Sequence, residues 1–208
     1  MAFRLKSHGG GYHLLILRGA RGGRRAAQAL GEDGDAVAAP IEVLADNAHL
    51  LPRTGEALDL ASGIGGSALF MARRGLRVTA WDLSDVAVDR LSEAASGMPL
   101  TAQVRDVVAQ PPPPLSFDVI TVGHFLDRSI CEPIAAALRP KGLLFYQTFS
   151  LERIDDSGPR DGPFRLRTNE LLRLFPELIV RFYRDEGRTG DINAGFRNRA
   201  QLVAQRPG

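Results

Sequence analysis

The run Ala57-Leu58-Asp59-Leu60-Ala61-Ser62-Gly63-Ile64-Gly65-Gly66 decides the fold. Ala57 to Leu60 is a short apolar stretch that reads as a buried strand. Ser62 to Gly66 is a glycine-rich turn, and Ala68 to Arg74 continues as a helix. Gly75 closes that helix where a left-handed cap is favoured. A strand that feeds such a turn and then a helix presents free amide N–H groups, and the positive end of the helix dipole, to a ligand. Glycines in the turn let the ligand approach the backbone closely.

Working outward, the same alternation repeats. A short helix is expected around Ile41, Val43, Leu44 and Asn47–Leu51, stopped near Pro52. Leu76 to Trp81 alternates into a second strand that ends at Asp82, and Ser84 caps a helix carrying Ala87, Val88, Leu91 and Ala95 on one face. Leu100 to Val104 is a third strand, ending at Asp106. Pro111 to Pro114 is an extended linker, because consecutive prolines join neither a helix nor a central strand. Phe117 to Val122 is a fourth strand, Ile130 to Leu138 a helix, and Leu143 to Phe149 a fifth strand. A Gly/Pro-rich loop follows from Ser150 to Arg167, then a helix capped by Thr168. Leu178 to Tyr183 and Ala200 to Ala204 are the last strands. With no helix-length segment between them, they form an antiparallel pair. The expected fold is therefore α/β: a doubly wound, mainly parallel seven-stranded sheet with an antiparallel last strand.

Acids stand at successive strand ends. Asp82 lies 19 positions after Gly63, where a carboxylate accepts both hydroxyl protons of a ribose. Asp106, at the end of the third strand, is placed to take the exocyclic amine of an adenine, with the Val107 backbone reading the ring edge. This arrangement fits an adenosine-containing cofactor bound at the carboxyl edge of the sheet. Gly63-Ile64-Gly65-Gly66-Ser67-Ala68 also fits the dinucleotide pattern, so a nicotinamide-dependent oxidoreductase stays open on the turn alone. Asp59 precedes the turn inside the strand, where it can meet a cationic amino group; that suits S-adenosylmethionine better than a pyrophosphate. Plain structural roles stand beside these, with Asp59 orienting the loop backbone and Asp106 serving as a turn acid.

The motifs resemble those of class I S-adenosylmethionine-dependent methyltransferases. Asp59-Leu60-Ala61-Ser62-Gly63-Ile64-Gly65 is similar to the first motif, Ala80-Trp81-Asp82-Leu83-Ser84 to the second, Phe117-Asp118-Val119-Ile120 to the fourth, and Leu138 to Leu144 to the fifth-strand motif. The resemblance spans about residues 40 to 205 and is greatest to the tellurite-resistance-like, small-molecule branch. It departs at Ala61, where the family often has glycine, at Ser62, where cysteine is common, and at Lys141, where a second glycine is frequent. It implies that Asp59 and the turn Ala61, Ser62, Gly63 and Gly65 hold the methionine part of the cofactor. It further implies that Asp82 and Leu83 hold ribose and adenine, and Asp106 and Val107 the adenine.

Methyl transfer from a sulfonium is an in-line displacement, so the protein mainly supplies proximity and alignment. A base is needed only if the acceptor must lose a proton. His124, just past the fourth strand, is the candidate base or acceptor contact; the alternative is a polar rim residue. His49, Phe125 and Arg160 are candidate acceptor contacts, and Arg165 and Arg167 share the loop of Arg160. No metal is expected, because the four histidines lack ligand spacing. The fourth strand is followed neither by an Asn/Asp-Pro-Pro-aromatic run nor by a Pro-Cys pair, so amino-nucleobase, glutamine and cytosine-C5 chemistry are not indicated. A small-molecule acceptor, such as a thiol or a metalloid oxyanion, is the expectation.

Composition agrees with one globular domain. Its 208 residues are 44% hydrophobic and 24% charged, and the single Cys131 forbids an internal disulfide. No apolar run reaches the length of a membrane helix, and a cytoplasmic location is expected. The net charge is only +2. Lys6 and Lys141 are the only lysines, which leaves 24 arginines, and these raise the isoelectric point without making a basic protein. Nucleic acid and membrane are therefore not expected as partners, although a basic arm in a nucleic-acid-associated protein is the third alternative. That arm would be residues 1–39, read as a flexible or weakly ordered leader before a methyltransferase-like domain at 40–208.

Overall fold

The structure, a computed structural model, describes residues 38–160 and 162–208. The expected leader lies, up to residue 37, outside the described residues. Seven strands form one sheet: β1 (Glu56–Leu60), β2 (Arg77–Asp82), β3 (Leu100–Val104), β4 (Phe117–Gly123), β5 (Leu138–Phe149), β6 (Ile179–Arg184) and β7 (Arg199–Gln205). Their order is β3-β2-β1-β4-β5-β7-β6. The first five pair in parallel, and β7 runs antiparallel to both β5 and β6. This is the expected α/β sheet with its antiparallel last strand.

Among the described residues five helices accompany the sheet: α1 (Glu42–Asp46), α2 (Gly66–Ala72), α3 (Asp85–Ala94), α4 (Cys131–Ala137) and α5 (Glu170–Leu174). A 3-10 turn, Ala48–Leu50, follows α1. The two-residue period of the strands sorts the core into two layers. Leu58, Leu60, Ile120, Val122, Leu144, Tyr146 and Leu202 pack with α4 and α5 on one face. Ala57, Val119, Phe145 and Val203 pack with α1, α2 and α3 on the other. Helices thus cover both faces, as double winding requires. Ser84 caps α3 as expected, its Oγ accepting from the Ala87 N–H at 3.3 Å.

Several element ends are displaced by one or two residues, and two of the differences have a visible local cause. The fifth strand starts at Leu138, because Leu138 already pairs with Phe117 before the register shifts. Arg139 to Gly142 is therefore a kinked strand entry, with Lys141 at a left-handed φ of 66°. Thr168 does not cap α5. Its hydroxyl donates to Glu152 at 2.6 Å, and Asn169 takes the cap position with a left-handed φ of 59°.

The order places β1 beside β4, so the chain leaves β1 on one side of the sheet and re-enters beside it from β3. That reversal opens a crevice at the carboxyl ends of β1 and β4.

Candidate functional site

Asp59 sits at the crevice, paired in register with Ala80 of β2 and Thr121 of β4. Its Oδ1 accepts from the Thr121 hydroxyl at 2.7 Å, and its Oδ2 from the Ala68 N–H at 2.9 Å. The carboxyl thus ties the start of α2 to two central strands, which is the backbone-holding role weighed above. Burial pushes Asp59 up to about 7; the bonds from Thr121 and Ala68 oppose that rise, and Asp82 adds to it.

The turn between β1 and α2 is left-handed at three places: Ala61 with φ 55°, Gly63 with φ 54° and Gly65 with φ 78°. Its glycines are also required by the protein itself. A Cβ on Gly65 would lie 2.3 Å from Leu91, and one on Gly66 2.1 Å from the Ala39 carbonyl oxygen. Residues 38–41 therefore lie across the head of α2, where the Ile41 N–H also bonds Ser67 Oγ at 3.2 Å. Ser62 Oγ is buried in the turn and has no hydrogen-bond partner among the described residues.

Asp82 closes the next strand. Its Oδ2 accepts from the Gly63 N–H at 2.7 Å and its Oδ1 from the Ser84 N–H at 2.9 Å. Burial raises its carboxyl above the usual range against those backbone bonds. Each oxygen keeps a further lone pair, so donors such as ribose hydroxyls remain acceptable. Leu83 beside it is exposed and Val107 is buried. Asp106 accepts from the N–H groups of Val108 and Ala109 through one oxygen, Oδ1, and so shapes its own turn. Trp81 is buried beneath this region; its Nε1–H donates to Gln103 at 3.1 Å, and the Arg105 guanidinium lies 3.8 Å over its ring. The turn, Asp82 and Asp106 are thus brought together on three adjacent strand ends.

Beyond β4 lies the opposite half of the crevice. His124 is buried, with φ 56°, and its ring packs 5.3 Å from that of Phe149. Its Nε2 lies 3.3 Å from Arg199 Nη1. A guanidinium only donates, so Nε2 is the accepting nitrogen. Phe125 is half-buried and its carbonyl accepts from the Tyr146 hydroxyl at 2.9 Å. His49 is exposed on the turn after α1, and Arg160 is exposed in the loop after β5. Arg165, by contrast, is only 2% exposed, and its guanidinium donates to the carbonyls of Ser150, Pro159 and Ser157.

Sequence reasoning missed a polar cluster here. Glu42 of α1 accepts from Arg199 at 2.8 Å through Oε1 and from Gln147 Nε2 through Oε2. Gln147 Oε1 in turn accepts from Gln201 at 2.9 Å and from the Val43 N–H at 3.1 Å. The available signal was a glutamine set among apolar neighbours in each strand, Gln147 after the run Leu143 to Tyr146 and Gln201 between Ala200 and Leu202.

Comparison with known proteins agrees with this geometry. Residues 57–142 match the family described as methyltransferase domain. No curated protein sequence matches the chain. Among solved structures, TehB from Haemophilus influenzae superposes with TM-score 0.63 at 21% identity, covering 78% of this chain and 61% of that one. The chain thus spans just under two thirds of that protein's length. An S-adenosylmethionine-dependent methyltransferase from Mesorhizobium loti gives 0.61 at 17% identity, over 80% of this chain and 99% of that one. Geranyl diphosphate C-methyltransferase from Streptomyces coelicolor, solved with S-adenosylhomocysteine, gives 0.61 at 15%, over 76% and 74%.

The residues present fit such a cofactor. The turn holds a buried, unspent hydroxyl at Ser62, and a carboxylate with spare lone pairs follows at Asp82. The strand–turn–helix at 57–72 and the acid that follows it lie within residues 57–142, which match the methyltransferase domain family, and the sheet around them has the fold of S-adenosylmethionine-dependent methyltransferases.

Proposed function

We propose that the acceptor is a small molecule, such as a thiol or a metalloid oxyanion, bound beyond β4. The observation that carries this reading is the way the chain's own segments close over that half of the crevice. Ile41 sits on Gly123, whose Cβ would lie 2.6 Å from it. Arg165 fastens the loop after β5 from inside through three carbonyls. Arg128 fastens the same loop from outside, donating to the carbonyls of Pro163 and Arg165 and pairing with Glu170 at 2.7 Å. A fastened rim of this kind supports a compact acceptor over a nucleic-acid strand.

When bound, S-adenosylmethionine supplies a methyl group already activated on sulfonium. The chain's work is then binding and alignment. Asp82, Leu83, Asp106 and Val107 hold the adenosine end, and Asp59 with the turn Ala61, Ser62, Gly63 and Gly65 the methionine end. His124 lines the acceptor side, together with Phe125 and, at the rim, His49 and Arg160. With Nε2 engaged by Arg199, His124 orients the acceptor rather than removing its proton through that nitrogen. The test is transfer of labelled methyl to thiols, metalloid oxyanions, phenols and tRNA. Turnover of at least one small class is expected; labelling of tRNA alone would overturn the reading.

A further inference from the structure

The cluster beyond β4 contains a built seat for a carboxylate. Glu42 is held at both oxygens, one by the Arg199 guanidinium at 2.8 Å and the other by the Gln147 amide. Burial works against the Glu42 charge, yet the Gln147 hydrogen bond and the Arg199 cation hold its carboxyl below the usual range. The two holders belong to the sheet: Gln147 to β5 and Arg199 to the first position of β7, opposite Phe149. Gln147 is fully buried and is fixed by Gln201 and by the Val43 N–H, so the seat is pre-set by the fold. Its floor carries an unspent polar atom among the described residues, the buried Gln201 Oε1. The occupant is the loosest part. The Glu42 side chain is 46% exposed against 26% for Arg199, and rotation about its own bonds would free the seat with Val43 and Leu44 still in the core.

Stability alone is a poor reason for this arrangement. A partly buried ion pair over buried carboxamides is costly to desolvate and is commonly matched by apolar packing. The seat adjoins His124 at the end of β4, and Phe196 lies 5.0 Å under the Arg199 guanidinium. We infer that Arg199 and Gln147 are specificity-determining residues for an acceptor bearing a carboxylate or similar oxyanion, and that Glu42 is an internal stand-in which the acceptor displaces. The inference rests on the small-acceptor reading and names its chemical class.

The test is calorimetric, on the full chain loaded with S-adenosylhomocysteine. The probes are thioglycolate, which carries a carboxylate, and mercaptoethanol, which does not. Thioglycolate is expected to bind the parent protein, to bind Glu42→Gln several-fold more tightly, and to bind Arg199→Met at least about tenfold more weakly, the scale of one charge-assisted hydrogen bond. Mercaptoethanol is expected to be indifferent to both changes. Should Arg199→Met fail to fold, Arg199→Lys, which keeps the charge and loses the fork, is expected to weaken thioglycolate by a smaller factor. Equal thioglycolate binding by all variants, or none even to Glu42→Gln, would overturn the inference. Methyl transfer is scored separately with S-adenosylmethionine. Failure to methylate any small acceptor removes the small-acceptor reading, whereas the binding comparison alone decides the seat.

Discussion

Asp59 carries the most pointed chemistry of any single residue. Its carboxyl is raised by burial from 3.8 to about 7 in the folded state. An acid raised on folding binds more protons when native than when unfolded between those two values, so stability falls as pH rises through that window and levels off above it. Asp59→Asn keeps an acceptor for the Ala68 N–H and offers Thr121 an amide in place of a carboxylate. Comparing urea midpoints of parent and Asp59→Asn at pH 4 and pH 8 should show a smaller decline in the variant. Asp59→Ala strands both donors and is expected to cost on the order of 2–4 kcal/mol by the same measurement. Ala61 and Lys141 carry strain of another kind. Each stands where the resembling family often has glycine, and each is left-handed, at φ 55° and 66°. Ala61→Gly and Lys141→Gly should each stabilise the protein by roughly 0.5–1 kcal/mol, because the relief of a left-handed side chain slightly exceeds the entropy added to the unfolded chain. A lower melting temperature in both variants would refute the strain account.

At the scale of elements, one acid joins a turn to a helix. Asp82 ends β2, holds the Gly63 N–H of the first turn and the Ser84 N–H at the cap of α3. Its removal therefore loosens two connections as well as the proposed cofactor contact. Asp82→Ala should weaken S-adenosylhomocysteine by roughly 1.5–3 kcal/mol, measured by calorimetry on protein shown to be folded. An unchanged dissociation constant would remove Asp82 from the cofactor site. This double duty marks where the sequence was legible. Strand ends carrying acids, glycine turns and the Ser84 cap are short-range signals, and they placed the elements within a few residues. The helix capped by Thr168 was misjudged because its hydroxyl found Glu152, 16 positions away, as a better partner. The Glu42–Gln147–Arg199 cluster joins positions 105 residues apart and more, and only the closed sheet brings them together. The glycine turn likewise read as a ligand cradle, whereas Gly66 is also kept bare by the Ala39 carbonyl.

Taken whole, the molecule is a sheet padded on both faces, and Cys131 lies inside one of the two layers. It is 2% exposed, and burial, with Asp127 nearby, pushes its thiol up to about 12. A thiol so placed reacts only when the layer around it opens. Native protein should leave a disulfide reagent unconsumed, and denatured protein should consume one equivalent per chain. Rapid native labelling would mean that α4 separates from the sheet far more easily than its packing indicates.

Trp81 lies at the end of β2, one position before Asp82, with a guanidinium on its face and an amide on its nitrogen. It is the chain's only tryptophan. If the adenosine seats beside Asp82 as proposed, its arrival should alter the emission of this one indole, an optical gauge of cofactor occupancy that needs neither label nor turnover.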